Sequence, residues 1–172
     1  EFRAGVADGS IVGHVGFPES IRLLSDALGL GVDSVEQNIE PIIAKVARPA
    51  RDRAVEPGQV AGRKFHWEAL VGDDVVVEVT VNWLMGEENL DPAWDFGPAG
   101  QRYEMEIKGN PDFTVTVKGF QSEIGGQGPE YGVVATAAHC VNSVPAVCAA
   151  PPGISTYLDL PFISAKAAPG LR

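Results

Sequence analysis

The spacing of apolar and polar residues divides this chain into a helix, a run of strands and a second helix. Residues 16–29, GFPESIRLLSDALG, read as a helix with Pro18 in its first turn, where a missing N–H costs nothing. Glu19 sits at the positive end of the helix dipole, and Gly29 is placed to terminate the helix. Ile21, Leu24, Ala27 and Leu28 supply the expected apolar stripe. Residues 32–46 turn β-like, rich in Val and Ile, with Pro41 marking an edge or a bulge. A polar stretch from Arg48 to Gly58 reads as a loop. Gln59–Val71 then alternates, with Phe65, Trp67 and Ala69 on one side and Lys64, His66 and Glu68 on the other. Gly72 to Asp74 form a turn, and Val75–Leu84 answers with Val75, Val77, Val79, Val81 and Trp83 on one face. The pattern is a long antiparallel hairpin with one wet face.

Two further strands follow an acidic loop, residues 86–100, that carries Trp94 and Phe96. Tyr103, Met105 and Ile107 alternate with Glu104, Glu106 and Lys108; Phe113, Val115 and Val117 alternate with Thr114, Thr116 and Lys118. Between them Asn110, Pro111 and Asp112 turn the chain. A glycine-rich connector, 125–129, leads into the most informative stretch, Tyr131–Pro152, which is almost wholly Ala, Val and Cys. Its polar residues Thr136, His139, Asn142 and Ser143 fall on one side of a helix. The composition predicts a buried helix, so the polar stripe is either hydrogen-bonded internally, or at a subunit contact, or lines a wet cavity. A proline-containing tail reads as an extended packing arm.

The sum is an α+β arrangement: a largely antiparallel sheet of about five strands, one face covered by two main helices. The other face is polar, and is either solvated or paired with a second copy. With 172 residues the chain fits one domain, 1–172. The order of elements contains no complete Rossmann unit, and no GxGxxG turn joins a strand to a helix.

Charge narrows the partners. A net charge of −10 argues against nucleic acid, which needs clustered Lys and Arg. Arg48, Arg51, Arg53, Arg63 and Lys64 lie close together, but Asp52 and Glu56 interrupt them, as in a solvated loop. No apolar run reaches the roughly 18–20 residues of a membrane span. The first ten residues lack the basic and apolar regions of a secretory signal. Cys140 and Cys148, eight residues apart on one helix, would lie about 12 Å apart, too far for a disulfide. They read as small buried apolar residues in the reducing cytoplasm.

Neither HExxH nor CxxC is present, and His14, His66 and His139 are scattered, so no metal is expected. A hydrolase elbow is also missing. What remains is the stripe on the last helix, the turn at Asn110, and His14, set between Gly13 and Gly16 just before the first helix. Each also has a plain structural reading, as a satisfied core group, ordinary turn chemistry or a cap-side histidine. The acidic loop reads as exposed, with its aromatic residues as candidates to cover a cleft.

GHVGFPESI (13–21) with LLSDALG (23–29), and TAAHCVNSVP (136–145) with AAPPG (149–153), resemble the substrate domain of dihydrodipicolinate reductase-like amino-acid dehydrogenases, the group that includes 2,4-diaminopentanoate dehydrogenase. NPDFT (110–114) leading to AAH (137–139) is similar to meso-diaminopimelate dehydrogenase, whose turn asparagine contacts the amino-acid substrate. The resemblance implies that Asn110 and His139, with Asn142 and His14 as weaker candidates, face a substrate cleft. It also implies an amino or imino substrate, NAD or NADP in the intact parent enzyme, and a homo-oligomer built through the sheet face. The dinucleotide-binding half of such enzymes has no counterpart in these residues, so the chain alone is expected to bind no cofactor. The alternative is a non-enzymatic self-associating scaffold or small-ligand module, which would bury Val76 and Leu84 against a second copy.

Overall fold

A computed structural model describes residues 1–14, 16–50, 53–93, 102–118 and 131–165. The chain forms two compact units, Glu1–Ala99 and Gly100–Arg172. The first holds α1 (Phe2–Ala7), α2 (Phe17–Ala27) and strands β1 (Ser34–Ala44), β2 (Val60–Val71), β3 (Asp74–Leu84) and β4 (Leu90–Asp91). The second holds the hairpin β5 (Arg102–Ile107) and β6 (Phe113–Lys118), and the helix α3 (Tyr131–Ala149). The class is α+β, with the strands divided between a four-stranded sheet, ordered β3-β2-β1-β4, and the separate two-stranded hairpin. Every strand pairing among the described residues is antiparallel.

The hairpin of β2 and β3 follows the alternation of its sequence. Phe65 lies opposite Val81, Trp67 opposite Val79 and Ala69 opposite Val77, so one face is continuously apolar. Phe65, Trp67 and Ala69 are buried together with Ile21 of α2, and Phe17, Val35 and Ile39 pack around them. Burying one tryptophan removes roughly 200 Å² from water, worth about 5 kcal/mol before chain entropy is counted. Gly72 turns the strands at φ 59°, a left-handed value that glycine adopts without strain. Its N–H donates to Asp33 Oδ2 at 2.8 Å, which ties the turn to the start of β1.

Pro41 satisfies both expectations for a proline in a strand. β4 pairs with β1 only at Ile43 and Ala44, so Pro41 lies on an open edge, and the register shifts just after it, between Ile42 and Ile43. The irregularity lets Ile42 and Ala44 enter a second apolar cluster with Ala61 and Leu90, which Leu84 joins. Leu84 is therefore used by the chain's own core, while Val76 stays exposed.

Helix α2 begins and ends as its sequence predicts. Gly16 caps it in the left-handed region, and the Gly16 N–H donates to Glu19 Oε2 at 3.1 Å. At the other end the Leu30 N–H reaches the Ser25 carbonyl and the Gly29 N–H that of Asp26, closing a Schellman motif around left-handed Gly29. The buried face is a correction. Leu24 is 47% exposed and Leu28 62%, and Ala27 is also exposed; the helix instead buries Ile21 and Ser25 on the side of Phe17. Ser25 can be buried because its hydroxyl donates to the Ile21 carbonyl at 2.8 Å.

The loop from Arg48 to Gly58 is a second correction. Arg48 is half-buried rather than solvated, and its main chain exchanges both hydrogen bonds with Val55. Its guanidinium donates to the carbonyls of Met85 at 2.6 Å and Glu88 at 2.8 Å, and more weakly to Asn89 and Gly86. One side chain thereby gathers the carbonyls that lead into β4. This is the fork geometry that distinguishes arginine from lysine.

In the second unit, Tyr103 faces Val117, Met105 faces Val115 and Ile107 faces Phe113, forming an apolar ladder whose six side chains are all at least 36% exposed. Helix α3 is the third correction. Composition predicts burial, yet Val133, Val134, Val141, Val144 and Val147 are exposed, and so are the free thiols of Cys140 and Cys148. An Ala- and Val-rich sequence states what a helix can pack against, not what lies beside it. Trp94, Phe96, the connector 125–129 and the end of the tail lie outside the described residues.

Candidate functional site

His14, the candidate in the first unit, lies in the segment between α1 and α2. It is exposed, and its ring sits edge-on to two aromatic neighbours, Phe17 at 4.9 Å and Trp83 at 5.0 Å between centroids. The local sequence explains the placement. A Cβ on Gly13 would meet the side-chain amide of Gln37 on β1, so the chain passes close to that side chain there. Left-handed Gly16 then turns the backbone into α2, with Phe17 as its first residue. The motif GHVGF thus presents an imidazole beside a fixed aromatic ring. A cap-side histidine is one expectation for His14; among the described residues no cap hydrogen bond involves its side chain, and Gly16 with Glu19 performs that task.

The other candidates belong to the second unit. Asn110 is exposed on the turn between β5 and β6, where the Gly109 N–H donates to Asp112 Oδ1 at 2.7 Å and closes the turn. Asp112 therefore performs the turn chemistry, which leaves the Asn110 amide with no hydrogen bond to the described residues. On α3, His139 is exposed with its ring 5.2 Å from that of Tyr157, and Asn142 is half-buried. Ser143 Oγ donates to the Cys140 carbonyl at 2.7 Å, the usual way a serine satisfies itself within a helix. No hydrogen bond or ring contact joins Asn110 to His139 or Asn142 among the described residues.

Two neighbours of these candidates escaped the sequence reading. Tyr157 was hidden in a proline-rich tail, although its segment is organised: Thr156 donates both its N–H and its Oγ1 hydroxyl to Asp159 Oδ2 at 2.8 Å. The backbone donor and then the hydroxyl hold the Asp159 carboxyl below its ordinary range. Trp83 was placed on the apolar face of its strand, but its position at the strand's end leaves it 49% exposed beside His14. The signal for it was the spacing of His14 and Phe17, which puts two rings near one helix start.

His66 belongs to a different face. Glu36, Glu68 and Glu78 occupy facing positions on β1, β2 and β3, an arrangement of like charges that costs stability. His66 lies in the adjacent row, with Nδ1 2.8 Å from Thr80 Oγ1, Nε2 3.3 Å from Glu68 and Nδ1 3.7 Å from Glu78. These contacts give it a structural task. Among the described residues no group of three or more His, Cys, Asp or Glu is placed to hold a metal ion, and no helix is long and apolar enough to cross a membrane.

The sequence matches the 2,4-diaminopentanoate dehydrogenase C-terminal domain over residues 1–169. The chain belongs to that family. It is 31% identical over 163 residues to 2,4-diaminopentanoate dehydrogenase of Acetoanaerobium sticklandii, covering 94% of this chain and 41% of that protein. Its fold is similar to that of an amine dehydrogenase from Mycobacterium smegmatis, with a TM-score of 0.62 and 24% identity over 85% of this chain and 38% of the other. The chain thus spans about two fifths of the length of these relatives. It is a domain of the 2,4-diaminopentanoate dehydrogenase C-terminal type. The strands of the described residues pair only in antiparallel fashion, so they contain no parallel βαβ crossover to cradle a pyrophosphate.

Proposed function

We propose that this chain is the substrate-binding and oligomerisation domain of an NAD(P)-dependent oxidoreductase acting on an amino acid or imine, active only with a separate dinucleotide-binding domain. The supporting observation is the family match across nearly the whole chain, to proteins more than twice its length named as dehydrogenases of amino compounds. On this reading Asn110, His139 and Asn142 of the second unit contact the substrate, and His14 is a separate candidate in the first unit. The Asn110 amide can accept from an ammonium or donate to a carboxylate, and its neighbour Asp112 frees it for this by accepting from the Gly109 N–H and closing the turn. His139 offers a ring nitrogen from a rigid helix, beside Tyr157. Holding a small amine from several rigid elements is how a protein converts binding into orientation. Two free, exposed thiols suit a reducing cytoplasm.

In the dehydrogenase joined to its nucleotide domain, Asn110→Ala raises KM for the amino substrate roughly 2- to 10-fold, the value of one hydrogen bond. Unchanged kinetics remove Asn110 from the site. Fluorescence titration of the 172-residue chain with NADPH gives no binding on this reading, and saturable binding overturns it.

A second reading, a self-associating scaffold, draws on the apolar ladder of Tyr103, Met105, Ile107, Phe113, Val115 and Val117. Exposed apolar faces of this kind commonly mark contact surfaces. Sedimentation of the purified chain separates dimer from monomer. A dimer without any effect of an amino substrate favours the scaffold.

A further inference from the structure

The first unit carries a closed circuit of five aromatic rings. Trp67 stacks on Phe17 at 4.7 Å, Phe17 meets His14 at 4.9 Å, His14 meets Trp83 at 5.0 Å, Trp83 meets Phe65 at 5.1 Å, and Phe65 lies parallel to Trp67 at 5.6 Å. Phe65 and Trp67 are fully buried in the core between α2 and the sheet, whereas His14 and Trp83 reach solvent. The circuit therefore has an anchored floor and an open rim. His14 is the only titratable group in it, and the two rings that flank it have different origins, Phe17 from the helix start and Trp83 from the end of β3. Interplanar angles of 67° and 76° make both contacts edge-to-face, the arrangement that ring quadrupoles favour.

The backbone supports both walls. At Gly62, facing Leu84, a Cβ would lie 2.5 Å from the Trp83 carbonyl oxygen, so glycine admits β3 at the closeness that sets Trp83. The preceding segment passes close to the side-chain amide of Gln37 at Gly13. An exposed imidazole with no hydrogen bond to the described residues would ordinarily sample several rotamers. Here two aromatic walls limit it while leaving it open to a ligand.

We propose that Trp83 and Phe17 are positioning residues that fix the His14 imidazole, edge-on and solvent-facing, as a preorganised hydrogen-bonding group for an amino-acid substrate. This rests on the reading of His14 as a substrate-facing residue. Preorganisation matters because a ring already held in place loses little freedom on binding. Trp83 and Phe17 themselves need not touch the substrate.

The test uses the 172-residue chain, uniformly labelled with nitrogen-15 and carbon-13 so that histidine and asparagine signals are both read, and 2,4-diaminopentanoate as the probe. In the unaltered protein the His14 carbon-bound protons show nuclear Overhauser contacts to both Phe17 and Trp83 and are displaced by ring currents from free histidine. Trp83→Leu returns them toward the free position, Trp83→Phe restores part of the displacement, and the His66 signals stay put. Adding the probe moves the His14 signal, with affinity reduced roughly 2- to 10-fold in Trp83→Leu. Absence of the contacts and of the displacement in the unaltered protein overturns the positioning role even if Trp83→Leu fails to fold. Probe-induced shifts at Asn110 and His139 but not at His14 overturn this proposal and leave the substrate reading standing. No shift at any of the four candidates overturns both.

Discussion

Arg48 provides the sharpest test of how the first unit is held together. Arg48→Met keeps most of the aliphatic stem and removes the guanidinium that gathers the carbonyls of Met85, Gly86, Glu88 and Asn89. Two of its contacts, to Met85 at 2.6 Å and Glu88 at 2.8 Å, are short enough to count as full charge-assisted bonds; the other two are shared and weaker. Each full bond to a charged donor is worth about 1.5–3 kcal/mol. The carbonyls belong to exposed residues, however, and water replaces the lost donor there. The net cost is then about 2–3 kcal/mol, near the value of one such bond. β4 has only two residues and Asn89 before it holds φ 54°, so beyond the burial of Leu90 and the short pairing with β1 this segment has little else to keep it in place. The loss is expected as local opening, read by hydrogen exchange at the Lys45 amide, which donates to the Asn89 carbonyl at 2.9 Å. A cost of 2–3 kcal/mol speeds that exchange roughly 30- to 150-fold. Arg48→Lys should fall between, because an ammonium reaches fewer of the carbonyls at once. Less than a threefold change in Arg48→Met would refute the clamp and return Arg48 to the solvated role its neighbours suggest.

The corrected face of α2 predicts a contrast within one helix. Ile21→Ala costs about 2–5 kcal/mol by leaving a cavity beside Trp67, whereas Leu24→Lys in this chain changes stability by less than about 0.5 kcal/mol; denaturant midpoints followed by tryptophan fluorescence distinguish them. The Thr156 and Asp159 turn predicts a pH effect. The folded carboxyl titrates below its unfolded counterpart, so its contribution is fully present above the unfolded range and is lost as pH falls through the depressed folded one. The Thr156 amide shift should follow that titration, and Thr156→Ala should return the midpoint toward the ordinary carboxylate value.

The sequence alone determined the elements whose periodicity and end signals agree. Alternation from Gln59 to Leu84 specified a hairpin because a period of two assigns each side chain to a face before anything packs on it. Pro18, Glu19 and Gly29 bounded α2 by local backbone chemistry. The motifs around His14 and His139 carried the family resemblance, which the match over residues 1–169 bears out. Tertiary structure alone decided which of the apolar lines on α2 meets the sheet, since Leu24 and Ile21 are equally apolar and only the crossing of helix and sheet selects between them. It alone brought Trp83 to His14 and Met85 to Arg48, pairs separated by dozens of residues, whose partners no local spacing encodes. Short β4 was hidden in an acidic loop for the same reason: two residues carry no period, and their pairing with Ile43 and Ala44 exists only once the chain has folded back.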